Sequence, residues 1–157
     1  MQQEAKHAIN IIDNLIETLT SKAASYVKEV QDLLKTQKPQ KYNPDNPEEK
    51  RAKPIWVRLR KKDGYDTFSI AWSRFNYYHH ETRRSYFKDI PRGRSYCIPW
   101  KRFMQIVRGY HPEIQKELWE YEKIFGEIRQ YLAFLSQSRV PMVNFHKKAA
   151  KPIGESE

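Results

Sequence analysis

The residues in this chain that come nearest to a reactive cluster are Tyr77, Tyr78, His79, His80 and Glu81. A tyrosine hydroxyl can serve as a nucleophile, and histidines beside a carboxylate can hold a cation. The spacing argues against both uses. On a strand, adjacent His79 and His80 point to opposite faces. His7, His111 and His146 are scattered and complete no metal site. Phosphate-loop, dinucleotide-binding, cysteine-zinc and Ser-His-Asp patterns are absent. The cluster therefore reads as a polar loop at a sheet edge. No enzyme and no cofactor are expected. The lone Cys97, between Tyr96 and Ile98, reads as a small packed residue; one cysteine excludes an internal disulfide and suits a reducing cytoplasm.

What remains is binding chemistry. Residues 54–104 hold twelve of the chain's 29 Lys and Arg but only four of its 19 Asp and Glu, so most of the net charge of +10 falls on this segment. Trp, Tyr and Phe are interleaved with the arginines. A localised basic surface on a rigid sheet suits a polyanion, above all a nucleic acid. Against this stand two other readings, a solvated face that aids solubility and a face that docks an acidic protein.

The strands that must present this surface are signalled by Asp63-Gly64, the signature of a two-residue type I′ turn. That turn would pair Leu59 with Phe68, Val57 with Ile70 and Ile55 with Trp72 on one apolar face. Opposite them Arg60 would meet Thr67, Arg58 would meet Ser69 and Trp56 would meet Ala71, and alternation agrees. The wet face then presents Trp56, Arg58, Arg60, Lys62, Thr67 and Ser69 as candidate DNA-binding residues. A two-stranded ribbon fits the major groove, where Arg, Ser and Thr can read base edges. A third strand is expected over 84–90 and a short fourth over 95–98. Arg83, Arg84, Arg92, Arg94, Lys101 and Arg102 fall at strand ends, in a turn or at a helix start, where phosphate contacts are expected. Pro99 can open a short helix whose Phe103, Ile106 and Val107 would cover the apolar face.

Two heptad seams flank the sheet. Apolar positions alternate at spacings of four and three from Ala5 to Leu33, and again from Ile114 to Leu135. Ala8, Leu15, Val27 and Leu34 widen the first stripe. Pro112 suits a first helical turn, and Glu113 complements the dipole there. The 157 residues are read as one domain over 1–138: helix 3–35, linker 36–53, basic sheet 54–98, short helix 99–109 and long helix 112–138. Residues 139–157 are expected to be a flexible tail. The fold class is α+β, a small antiparallel sheet of three to four strands between two long helices that pair as an antiparallel stalk. Spare apolar positions on the stalk also suit a homodimer interface. No apolar run reaches the roughly 18 residues of a membrane span, no signal peptide is visible, and mean hydropathy is −0.90. A cytoplasmic protein is expected.

The order of an N-terminal helix, then Pro54-Ile55-Trp56-Val57-Arg58-Leu59-Arg60 and the 68–72 strand, resembles the MobI family. So does Gly93-Arg94-Ser95-Tyr96 before a Phe-containing helix and Glu127-Ile128-Arg129. These are auxiliary mobilisation factors of conjugative plasmids and integrative conjugative elements. The resemblance spans roughly residues 54–135. It implies a protein that acts with a relaxase at the origin of transfer.

Overall fold

No Gly or Pro occurs before Pro39, and the first helix, α1, runs unbroken over Gln2–Thr36. The computed structural model describes residues 1–39, 53–61, 67–76 and 86–150. After α1 come β1 (Ile55–Lys61), β2 (Phe68–Asn76), β3 (Tyr86–Asp89), α2 (Trp100–Ile106) and α3 (Pro112–Ala149). The three strands form one antiparallel sheet in the order β1-β2-β3. The arrangement is the expected α+β one, with the helices against the sheet.

α1 and α3 run antiparallel. Arg139 bonds Asp13 at 2.6 Å near one end, and the Tyr121 hydroxyl donates to Glu29 at 2.9 Å near the other. Along α1 the buried positions are Ala5, Ile16, Leu19, Ala23, Val27, Val30 and Leu34. Beyond Ala23 the core side therefore follows Val27 and Leu34 rather than Tyr26 and Leu33. A straight helix of 3.6 residues per turn drifts off a seven-residue seam. Here the drift turns Val27 and Leu34 into the buried core, while Tyr26 meets the Tyr121 ring of α3 edge-on.

One face of the sheet builds the core. Ile55, Val57, Phe68, Ile70 and Trp72 are all buried, with Leu59 partly so. Trp72 lies edge-on to Phe103 of α2 at 5.4 Å and tilted against Phe125 of α3 at 5.9 Å. As expected, α2 covers this face, and Phe103, Ile106 and Val107 are buried. The free edge of β1 is closed by side chains: Gln31 donates to the Val57 carbonyl, and the Tyr110 hydroxyl accepts from the Ile55 amide. Such caps remove the exposed ladder groups that make edge strands sticky.

Glu122 has no exposed surface and Arg129 little, yet both are charged residues on α3. Glu122 accepts from the Trp72 indole, the Ile98 amide and Arg129. Arg129 also donates to the carbonyls of Tyr96 and Ile70. The pair thus ties helix, sheet and the loop after β3 together, which is how buried charges persist.

Three expectations are corrected here. The hairpin register differs by two residues: Val57 pairs with Trp72, Leu59 with Ile70 and Arg60 with Ser69. An even shift leaves every side chain on its expected face, so alternation could not detect it. The expected turn at Asp63-Gly64 falls in residues 62–66, which lie outside the described ones. Second, 95–98 is no strand. Its polar backbone is claimed by α3, through Arg129 on the Tyr96 carbonyl and Glu122 on the Ile98 amide. Third, residues 139–149 are helix rather than tail. Pro141 removes one helical hydrogen bond. However, Arg139 anchors this turn to Asp13, and His146, Lys147 and Lys148 complement the helix dipole at the end. α3 begins as expected, with Pro112 in its first turn and the His111 side chain accepting from the Glu113 amide.

Candidate nucleic-acid interface

Strand alternation places Trp56, Arg58 and Arg60 of β1 on the side of the sheet away from the core. Opposite them on β2 stand Ser73, Ala71 and Ser69, and β3 contributes Phe87 and Asp89. The central strand carries only small side chains between them, and both arginines reach across it to β3. Arg60 forms a two-pronged ion pair with Asp89, with contacts of 2.5 and 3.0 Å. The Arg58 guanidinium lies over the Phe87 ring, 5.7 Å from its centroid, and Phe87 in turn meets Phe75 edge-on at 5.3 Å. A guanidinium over an aromatic face is an attractive arrangement, held by the ring quadrupole.

The expected site residues divide as follows. Trp56, Arg58, Arg60 and Ser69 share the outer face as read from sequence, although Arg60 is held by a carboxylate. Thr67 does not sit opposite Arg60. It precedes β2 and lines a cleft of about 550 Å³ with Asp13, Glu17 and Ser21 of α1. Arg94, Lys101 and Arg102 are exposed, but they lie on the loop and helix that pack over the core side. Arg92 is occupied: its guanidinium donates to the Ser95 carbonyl at 2.6 Å. Partial burial, and then nearby Arg129, pull its pKa down. Lys62, Arg83, Arg84 and the 77–81 cluster lie outside the described residues. The described cations thus fall on two sides of the sheet rather than on one stripe.

Sequence reading missed Phe75, Phe87 and Asp89 as members of the outer face. The signal was available: Phe75 continues the outward parity of Ser69 and Ala71, and a register for β3 would have exposed the other two. Neither Tyr96 nor Trp100 was foreseen as exposed, and both flank the second cationic group. Among the described residues no cluster of three potential metal ligands occurs, and no helix is long and apolar enough to cross a membrane. Burial, and then the Glu122 carboxylate, raise the pKa of Cys97, which makes it a poor nucleophile.

No curated protein and no solved structure matches this chain. A family model described as "MobI protein" matches residues 19–143, from the middle of α1 through the whole sheet to the last turns of α3. The matched span holds every described element that shapes the outer face, and the chain belongs to the MobI family, which ties it to mobilisation in conjugation.

Proposed function

We propose that this protein is a non-catalytic DNA-binding accessory factor of conjugative transfer, acting in the cytoplasm with a relaxase at the origin of transfer. Family membership supplies the process. The observation that carries the DNA reading is the exposed Arg58 on a rigid sheet face among aromatic residues, with Arg94, Lys101 and Arg102 exposed on the other side. Cations on two sides of a thin sheet suit a partner that wraps, or two segments of one nucleic acid.

The test is a mobility-shift titration with origin-of-transfer DNA against unrelated DNA at several salt concentrations. If these four cations each neutralise a phosphate, log K should fall against log[salt] with a slope of about −4. Arg94→Ala, Lys101→Ala and Arg102→Ala should weaken all sequences alike, whereas loss of a base contact costs about 1–3 kcal/mol and relaxes preference. A flat salt response would remove the DNA reading.

A second reading is favoured by one observation. Ile11 on α1 and Phe134, Val140 and Phe145 on α3 are exposed apolar side chains along the stalk. In that reading the protein is an interaction module whose helices dock a relaxase or a second copy, while the basic face meets an acidic surface. Sedimentation of the protein alone and with a purified relaxase separates the two.

A further inference from the structure

We propose that the outer sheet face is a stacking site for single-stranded DNA, with the Arg58 guanidinium, seated on the Phe87 ring, as its base-facing plane. The inference rests on the DNA-binding reading above and narrows it to one strand state. Its first support is the placement of aromatic rings. Each strand contributes one at an outward position, Trp56, Phe75 and Phe87, although the core is complete on the other side. Rings on the solvent side of a sheet present π-faces to unpaired bases, and such stacking tolerates any sequence.

The second support is charge. A ribbon entering a duplex groove runs between two rows of phosphates and gains affinity by neutralising them. On this face Asp89 cancels Arg60 through the ion pair at 2.5 Å. Among the described residues, Arg58 is left as an outward cation paired with a ring rather than a carboxylate. That balance is poor for a duplex and sufficient for a single strand held by stacking. A base laid on the guanidinium would complete a ring–cation–ring stack over Phe87.

The third support is a buried hydroxyl on the same face. Ser73 is 1% exposed at the middle of the outer face, and its hydroxyl has no hydrogen-bond partner. Buried hydroxyls are normally satisfied. This one sits between Trp56 and Asp89 in the ladder, on the face proposed to take the base.

The experiment is fluorescence anisotropy with a labelled oligo-dT of about 16 nucleotides and a duplex of equal length. The full chain is compared with Phe87→Leu, which keeps apolar bulk, and Arg58→Lys, which keeps charge but loses the planar stack. Tighter binding of oligo-dT than of duplex is expected, with each variant weakening oligo-dT by about 5- to 150-fold and duplex by less. Unfolding midpoints report whether Phe87→Leu has damaged the fold; Arg58→Lys alters an exposed side chain and tests the stack independently. Duplex binding without oligo-dT binding would overturn the stacking site and leave the DNA reading intact. Oligo-dT affinity that survives both substitutions would also overturn it. Binding to neither would remove both.

Discussion

The Trp72 indole donates to the Glu122 carboxylate at 2.6 Å, from the central strand to the middle of α3. The same carboxylate neutralises Arg129, two turns along the same face of α3, so a single buried acid decides whether sheet and helix can share a core. Removing one partner of such a pair leaves the other charged and unsolvated. Glu122→Leu is therefore expected to cost about 3–5 kcal/mol, as is Arg129→Met. The double variant should recover part of that loss, because no uncompensated charge remains, while the Trp72 indole, the Ile98 amide and the Tyr96 and Ile70 carbonyls still lose these partners. Urea unfolding of the four proteins measures it. Additive losses would mean that the two charges act independently.

Gly126 faces Cys97 so closely that a Cβ at residue 126 would come within 2.9 Å of the cysteine Cβ and 3.5 Å of its Cα. In an open helix, Gly→Ala gains about 1 kcal/mol from propensity. Here the clash is with atoms next to the backbone, in a loop pinned to Glu122 and Arg129. Gly126→Ala should instead destabilise, by about 1–3 kcal/mol. Cys97→Ala keeps the offending Cβ and should give no relief, whereas Cys97→Gly in the Gly126→Ala background should. A stabilised Gly126→Ala protein would contradict this packing.

The helices, their pairing and the two faces of the hairpin were legible because each rests on a local period. Ile16 and Leu19 mark the core by spacing, and Val57 and Trp72 mark it by alternation. The register was not legible, since a shift of two residues changes no face and the Asp-Gly signal pointed to the other register. Nor was the fate of residues 95–98. Tyr96 and Ile98 alternate like a strand, but the partner that takes their backbone groups is a pair of charged side chains distant in sequence. The extent of α3 was hidden by Pro141, whose cost is offset by Arg139 meeting Asp13 across the stalk. The outer face was half legible: Arg58 and Arg60 were placed correctly. Asp89 and Phe87, which decide what those arginines do, needed a third strand in register.

Tyr121 offers a pH-dependent report on the stalk. Burial raises its phenol pKa from 10.0 to about 12, helped by the hydrogen bond to Glu29 and by that residue's charge. A proton held more tightly in the folded state contributes stability that is fully present below the unfolded value. It is lost as pH rises through the folded one. The stability difference between wild type and Tyr121→Phe should thus be constant up to about pH 10 and change between 10 and about 12. Phenolate absorbance should show one late-titrating tyrosine that the variant lacks. Parallel stability curves over that interval would show that Tyr121 does not hold Glu29 in solution.

Asp89 provides the sharpest test of whether the outer face touches a polyanion at all. Its carboxylate restrains Arg60 through both oxygens, and both side chains are nearly half exposed. An ion pair this exposed contributes about 0–1 kcal/mol to folding, so Asp89→Asn should leave stability nearly unchanged. Its effect on binding should be larger. The substitution removes a negative charge from the face and releases a guanidinium that can then reach a phosphate. DNA affinity at moderate salt should rise, and the slope of log K against log[salt] should steepen by about 1. Arg60→Ala in the native background should do little by comparison, because the charge it removes is already cancelled. Unaltered affinity and slope in Asp89→Asn would place the nucleic acid elsewhere, on the side that carries Arg94, Lys101 and Arg102.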